Sequence, residues 1–151
     1  MKIGFTCSAF DLLHAGHILM LKEAKGQCDY LICGLQTDPT LDRNTKNKPI
    51  QSVLERYIQL SAVKYVDEVV VYESEEDLIQ VLKAYNIDIR ILGEEYKGKP
   101  FTGSDLPLES YFNKRSHKFS TTELRNRIIT NFKPKDNSQD SVHWWTNSDG
   151  S

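Results

Sequence analysis

The feature that most constrains the fold of this chain is a repeated change from short apolar runs to helix-like periodicity. The run Asp29–Leu35 is almost continuously apolar, as expected for a parallel strand buried on both faces. Similar runs lie at Ile3–Cys7, Val66–Tyr72 and Asp88–Gly93, and stretches with apolar residues at helical spacing separate them. Strands that alternate with helices indicate βαβ units. We therefore predict a three-layer α/β fold with a mainly parallel five-stranded sheet, whose fifth strand lies near Glu109–Phe112.

Capping signals predict where the later helices begin. Ser52 and Glu55 have the spacing of a capping box, which opens a helix that runs to about Ala62. Ser74 caps the next helix, and a final helix extends from about Ser120 to Thr130. The positions expected to face the core are Leu54, Ile58 and Val63 in the first of these helices and Leu78, Val81, Leu82 and Tyr85 in the second.

Composition narrows the class of protein. A chain of 151 residues with 39% hydrophobic residues forms one core, and a net charge of −2 argues against a nucleic-acid partner. The sequence contains neither an apolar run of membrane-spanning length nor a signal-peptide pattern, so we expect no membrane partner and a cytoplasmic location. The globular domain is predicted over residues 1–131. Residues 132–151 are predicted to be a polar tail, which is either disordered or anchored on its own subunit or a partner through Trp144 and Trp145.

Two histidines follow the first predicted strand. His14 and His17 lie three residues apart with Gly16 between them, and the following apolar spacing predicts a helix from about Ala15. Both rings can then lean toward one side of a helix N-terminus, where unpaired backbone N–H groups attract a phosphate group. A zinc site is the first alternative, but Cys7, Cys28 and Cys33 offer no recognisable ligand spacing. Two ordinary histidines at a helix start are the second.

Two other segments are expected to meet these histidines, because the carboxyl ends of parallel strands share one edge of the sheet. Gly93 follows the fourth strand and begins a P-loop-like spacing that fails at Pro100, where magnesium coordination needs Ser or Thr. The segment 114–122 follows the fifth strand. In it, Ser120 can cap the last helix, and the guanidinium of Arg115 can pair with a phosphate group. The plainer interpretation of the segment that begins at Gly93 is an exposed charged loop. The plainer interpretation of the segment 114–122 is a simple capping box at the start of the last helix.

The stretch Phe10–His17 resembles the H-x-G-H signature of the nucleotidyltransferase superfamily. Together with Arg115 a few residues before Ser120-Thr121-Thr122, it is most similar to the cytidylyltransferases, and among them to the glycerol-3-phosphate cytidylyltransferases. The resemblance implies a Rossmann-like fold and transfer of a cytidylyl group from CTP to the phosphate of an acceptor, here glycerol-3-phosphate, with release of pyrophosphate. It also implies a homodimer and Mg²⁺ held mainly by the nucleotide phosphates, without a metal site on the protein.

The resemblance assigns roles residue by residue. The implied catalytic residues are His14, His17, Lys46 and Arg115. The implied nucleotide-binding residues are Ser8, Ala9, Phe10, His14, Gly16, His17, Gly93, Glu95, Tyr96, Arg115, Ser120, Thr121 and Thr122. The implied acceptor-binding residues are Lys46, Lys48 and Lys64.

Four departures from the family pattern bear on these roles. Ser8-Ala9 stand where relatives have Gly-Thr or Gly-Cys. The loop that carries Lys46 and Lys48 is one residue longer than in the family, so it stays open which lysine reaches the acceptor phosphate and which the nucleotide. Lys64 replaces an arginine and loses its bidentate fork. Leu78 stands near an acceptor-binding lysine of the glycerol-phosphate enzymes. An ATP-dependent adenylyltransferase acting on a flavin or sugar phosphate, or a non-catalytic nucleotide-binding module, are the alternative functions.

Overall fold

The structure is a computed structural model that describes residues 1–132, so the predicted role of Trp144 and Trp145 lies outside the described residues. Five parallel strands form one sheet in the order β3-β2-β1-β4-β5. The strands are β1 Ile3–Ser8, β2 Tyr30–Gln36, β3 Glu68–Tyr72, β4 Ile89–Gly93 and β5 Glu109–Asn113. The α-helices are α1 Ala15–Lys25, α2 Val53–Ser61, α3 Glu75–Ala84 and α4 Thr121–Asn131. This architecture confirms the predicted α/β, Rossmann-like class.

Two apolar cores cover the two faces of the sheet. One core joins Leu21 of α1 and Leu60 of α2 to Leu31 of β2, and the other joins Leu78 of α3 to Phe5 of β1. β2 contributes to both, since six of its seven residues are buried. The continuous apolar run of β2 therefore reflects burial on both sides, as its sequence predicts.

The predicted inward face of α2 is wrong at two of its three positions, whereas the third, Val63, packs partly buried against the core just beyond the end of the helix. The capping box of Ser52 and Glu55 is present, but Leu54 is 67% exposed and Ile58 is 60% exposed. The buried positions of this helix are Arg56 and Leu60, which lie one turn apart on the opposite stripe. The prediction failed because it took the apolar positions as the core stripe and passed over a buried arginine.

The predictions for α3 hold for most of its positions. Ser74 accepts a hydrogen bond from the Asp77 N–H and caps the helix, and Leu78 and Leu82 are buried. Tyr85 instead lies just beyond the last helical residue and is 37% exposed, because the helix ends at Ala84.

The strand order places β1 at the centre of the site. β1 pairs with β2 on one side and with β4 on the other, so the connections leave in opposite directions at its carboxyl end, where ligands bind in open α/β sheets. By contact density the chain divides into two compact units, Met1–Thr121 and a second that begins at Thr122. Among residues 1–132, no helix combines the length and apolar character needed to span a bilayer.

Candidate active site

His14 and His17 close the N-terminus of α1 with their own rings. The backbone N–H of Gly16 donates to Nδ1 of His14 across 3.0 Å, and the backbone N–H of His14 donates to Nδ1 of His17 across 3.2 Å. The two ring centroids are 4.0 Å apart. The predicted helix start at Ala15 is confirmed, and the two rings form a reciprocal capping box.

These hydrogen bonds determine where the ring protons sit. Because each Nδ1 accepts a hydrogen bond, each neutral imidazole carries its proton on Nε2. Burial lowers the pKa of His17 to about 4, with a smaller lowering from His14 and an opposing effect of Asp11. Burial also lowers the pKa of His14, and electrostatic interactions with His117 and Arg115 lower it further. Both rings are therefore neutral N–H donors near pH 7.

The turn between β1 and α1 has unusual backbone geometry. Phe10 and Leu12 have φ angles of +50° and +52°, which lie in the left-handed region that L-residues seldom adopt. The Phe10 side chain is 1% exposed and its ring centroid lies 5.8 Å from that of His17. Ser8 Oγ accepts the Phe10 N–H at 3.3 Å, so that hydroxyl supports the turn.

Asp11 ties this turn to the residues that precede α2. Its Oδ2 accepts the Ile50 N–H and its Oδ1 accepts the Gln51 N–H, both at 2.9 Å. The Gln51 side chain returns a bond, since its Oε1 accepts the Leu12 N–H at 2.8 Å. These three hydrogen bonds therefore hold the turn that carries the histidines in its strained conformation.

Arg56 is a site-building residue that the sequence analysis missed. Its side chain is among the largest fully buried ones, and it donates to the carbonyl oxygens of Ala9, Gln36 and Thr37 at 2.6–2.9 Å. A fourth bond reaches the Gln51 carbonyl at 3.1 Å. The guanidinium thus joins the carboxyl ends of β1 and β2 to α2. A usable signal was present, because an arginine one turn before Leu60 shares its helix face.

The segment after β5 reaches the His pair as predicted. Thr121 Oγ1 lies 3.2 Å from His14 Nε2 and 3.5 Å from the Asp11 carbonyl oxygen. The exposed Arg115 donates from Nη2 to the Phe119 carbonyl at 3.1 Å, and its charge lowers the pKa of His14. Ser120 immediately precedes α4, which places it where a helix cap would sit.

Gly16 makes room for two imidazoles. A Cβ at this position would lie 2.8 Å from Cε1 of His14 and 3.0 Å from Cε1 of His117. His117 is thus a third ring at this helix end, and the sequence analysis gave it no role. A histidine two residues after Arg115 was the available signal.

The loop after β4 brings Glu95 and Tyr96 to the same edge of the sheet. Both lie in a short 3₁₀ turn, and the Glu95 carboxylate folds back against the space where Gly93 lacks a Cβ. Tyr96 hydrogen-bonds with Arg43 from the loop between β2 and α2, and this bond is the main reason that the pKa of Arg43 is raised. Arg43 also lies 3.7 Å from Glu75.

The remaining predicted residues are less closely placed. Lys46 and Lys48 are exposed in the loop before α2. Lys64 precedes β3 and stacks over the Tyr65 ring at 5.2 Å, so it lies at the amino-end edge of the sheet, opposite the histidines. Within one chain this position does not support the predicted acceptor role of Lys64, since loops before parallel strands all lie at that edge. Thr122 is the second residue of α4 and opens the second compact unit.

The arrangement suits the stabilisation of charge on a phosphoryl group. Two neutral Nε2–H donors and the first turn of α1 form one cluster, and the backbone N–H groups of that turn carry the positive end of the helix dipole. Among residues 1–132, no group of three or more His, Cys, Asp or Glu side chains is arranged to hold a metal ion.

Comparison with known proteins gives the same class. The cytidylyltransferase-like family profile matches residues 5–127. The probable ethanolamine-phosphate cytidylyltransferase of Encephalitozoon cuniculi is 35% identical over 144 residues, covering 91% of this chain and 43% of that protein. The bifunctional protein HldE of Caulobacter vibrioides is 37% identical over 109 residues, covering 72% of this chain and 22% of HldE. The chain thus spans less than half the length of either relative.

Solved structures share the fold. The lipopolysaccharide core biosynthesis protein of Thermoplasma volcanium superposes with a TM-score of 0.56 and 28% identity, covering 86% of this chain and 88% of the other. Pantoate-beta-alanine ligase of Francisella tularensis superposes with a TM-score of 0.55 over 85% of this chain and 70% of its own, but at 19% identity that likeness concerns the fold alone. Because the family profile covers most of the sequence and includes both histidines, the chain belongs to the cytidylyltransferase-like family.

Proposed function

We propose that this protein transfers a cytidylyl group from CTP to the phosphate of a small phosphorylated alcohol, with glycerol-3-phosphate as the acceptor. The observation that carries the proposal is the pair of neutral imidazoles at the N-terminus of α1, each with its Nδ1 occupied by a backbone N–H. Such rings have no free lone pair with which to act as a base, and each carries its one donor on Nε2. The Nε2 of His14 faces Thr121 Oγ1 at 3.2 Å, a contact that a phosphate oxygen would replace. The two rings suit transition-state stabilisation rather than proton abstraction.

The proposed reaction needs no protein nucleophile. An oxygen of the acceptor phosphate forms a bond to the α-phosphorus of CTP, and the bond from that phosphorus to the bridging oxygen of the β-phosphate breaks. The electron pair leaves on pyrophosphate, and no proton need be transferred. Catalysis of such a displacement consists of positioning and charge stabilisation. His14 and His17 provide the donors in this proposal, and Arg115, Ser120 and Thr121 hold the triphosphate.

Magnesium enters the proposal with the nucleotide. Mg²⁺ binds preferentially to phosphate oxygens and water, with one or two protein carboxylates at most. Bound there, Mg²⁺ would neutralise charge on the phosphates, and the protein's task would be to orient them.

Lys46 and Lys48 are the proposed acceptor ligands. Both are exposed in the loop between β2 and α2, and the same loop supplies Arg43, which contacts Tyr96 in the loop after β4. An acceptor phosphate held by these lysines would lie beside the carboxyl ends of the central strands. The name of the Encephalitozoon relative supports a cytidylyl donor and a phosphorylated amino alcohol for that protein. Phosphoethanolamine is therefore the second acceptor to test here.

The test is pyrophosphate release in the presence of magnesium, with CTP or ATP and with glycerol-3-phosphate, phosphoethanolamine or no acceptor. Release with CTP and glycerol-3-phosphate alone is expected. Release with CTP and phosphoethanolamine would retain the donor and replace the acceptor. Pyrophosphate release with ATP but not with CTP would contradict the proposed nucleotide donor. Binding of CTP without pyrophosphate release for any acceptor would indicate a non-catalytic module.

A loop variant separates the two substrates. Replacing both Lys46 and Lys48 by Ala should raise the KM for the acceptor at least tenfold, because each removes a charge-assisted hydrogen bond. The KM for CTP should change little. An equal rise in both values would argue against acceptor binding by these lysines. Homodimer formation and a cytoplasmic location also stay predictions, and sedimentation analysis of the purified chain tests the first.

A further inference from the structure

His117 is held in one orientation by its own segment. The backbone N–H of Phe119 donates to Nδ1 of His117 across 3.2 Å, and the two rings stack with centroids 5.4 Å apart at an interplanar angle of 25°. The bond to Nδ1 places the ring proton on Nε2. His117 therefore has the same tautomer as His14 and His17, although it belongs to a different part of the chain.

Three imidazoles gather at the N-terminus of α1. The rings of His14 and His17 lie 4.0 Å apart. A Cβ at Gly16 would lie 2.8 Å from Cε1 of His14 and 3.0 Å from Cε1 of His117, so His117 approaches the same helix end where Gly16 has no side chain to obstruct it. All three rings are half-buried, and the residues on either side of His117 are exposed.

We infer that His117 is a third phosphate-binding donor of this site and that its Nε2–H contacts the departing pyrophosphate. The inference rests on the proposed function and adds a residue to it. If His14 and His17 hold the α-phosphorus at the N-terminus of α1, the adjoining β- and γ-phosphates come within reach of His117, whose ring approaches Gly16 at the same helix end. As the bond from the α-phosphorus to the bridging oxygen breaks, the electron pair moves onto pyrophosphate. A fixed donor beside it stabilises that charge.

The charges around His117 favour an anion. Arg115 lies two residues before His117, and Lys118 follows it directly. Ser116, the residue between Arg115 and His117, carries no charge. The N-terminus of α1, which His14 and His17 cap, lies beside the His117 ring at Gly16. A pyrophosphate anion would thus meet two imidazole donors, a guanidinium and a helix N-terminus.

The test compares two ligands that share no phosphate. Pyrophosphate represents the leaving group, and CMP retains only the α-phosphate. Titration calorimetry with magnesium present would measure both dissociation constants for the wild-type protein, H117A, H117Q and S116A. Gln can place an amide N–H near the position of the imidazole Nε2, and Ser116 is an exposed neighbour that serves as a matched control.

The expected result is a rise of roughly ten- to a hundredfold in the pyrophosphate dissociation constant of H117A, the usual loss of one hydrogen bond to a charged group. CMP binding should stay within about twofold, H117Q should recover most of the pyrophosphate affinity, and S116A should resemble the wild type. Equal pyrophosphate binding by H117A and the wild type would overturn the inference alone. Equal weakening of CMP and pyrophosphate would also overturn it, since His117 would then act through the site as a whole. A wild-type protein that binds no pyrophosphate and releases none would overturn the proposed function as well.

Discussion

His14 and His17 are linked by a hydrogen bond in which the backbone N–H of the first donates to Nδ1 of the second across 3.2 Å. One ring nitrogen of His17 thus serves the helix cap, and the other carries the proton that the proposed reaction needs. Structure and chemistry are separable at this residue because they use different atoms. Substitution with a residue that mimics one atom can therefore distinguish them.

H17N should lower turnover by about two to three orders of magnitude, the usual loss of one positioned donor. Its amide oxygen can replace Nδ1 as the acceptor of the His14 N–H, so the free energy of unfolding should change by less than about 0.5 kcal/mol. H17A should lose the same turnover and also about 1 kcal/mol of stability, because the cap is gone. Steady-state kinetics and urea denaturation measure both quantities. K22A, an exposed position on α1, is the control. Unchanged turnover in H17N would contradict the donor role.

The free energy of unfolding should decrease when the pH is lowered below the ordinary histidine pKa of 6.5. The pKa of His17 is about 4 in the folded protein against an ordinary value of 6.5. The unfolded chain therefore binds the proton first as the pH falls, and the free energy of unfolding decreases between about pH 6.5 and pH 4. His14 acts in the same direction, since its pKa is also lowered. Above pH 6.5 these two residues contribute a constant amount.

Urea denaturation at pH 7, 6 and 5 measures this dependence. H17N should lose less stability than the wild type over the same interval, because it has no imidazole to protonate. Identical pH dependences in the two proteins, or a His17 ring that titrates near pH 6.5 by NMR, would contradict the assigned pKa.

R56M should destabilise the protein by about 3 kcal/mol or more, because it leaves several buried carbonyl oxygens without donors. Four such oxygens accept hydrogen bonds from the Arg56 side chain. The stability of R56K should lie between that of the wild type and that of R56M, since an ammonium group cannot span the carboxyl ends of β1 and β2 as the guanidinium does. R127A, in an exposed part of α4, should change stability by less than about 0.5 kcal/mol. A loss below about 1 kcal/mol in R56M would show that the carbonyl groups find other partners.

Two glycines in the connection between β4 and β5 provide a paired test of crowding. Gly98 and Gly103 have φ angles of +76° and +82°, so alanine is strained at both. A Cβ at Gly98 would meet no atom within 4 Å, whereas one at Gly103 would lie 2.8 Å from Cδ1 of Leu82 and 3.2 Å from Nη1 of Arg90. G98A should cost about 1 kcal/mol from backbone strain alone. G103A should cost a further 1–3 kcal/mol or so from overpacking, measured by thermal or urea unfolding. Equal losses would mean that the neighbours of Gly103 move aside.

The sequence by itself determined the fold class, the strand pattern and the helix start that carries the histidines. These are local properties: β2 is apolar throughout because both of its faces are buried, and Ser52 with Glu55 caps α2 wherever that helix packs. The edge that joins the His motif, Gly93 and Thr121 also followed from the sequence, since parallel strands end together.

Tertiary structure alone decided which side chains build and surround the site. Arg56 is buried because three carbonyl oxygens from the ends of β1 and β2 meet it, and Asp11 is held by N–H groups about forty residues away. His117 approaches Gly16, about a hundred residues away in the sequence, beside the His14 ring. Apolar spacing along one helix could not reveal these contacts, because the partners of a buried polar group lie on other elements and satisfy it only once the chain has folded.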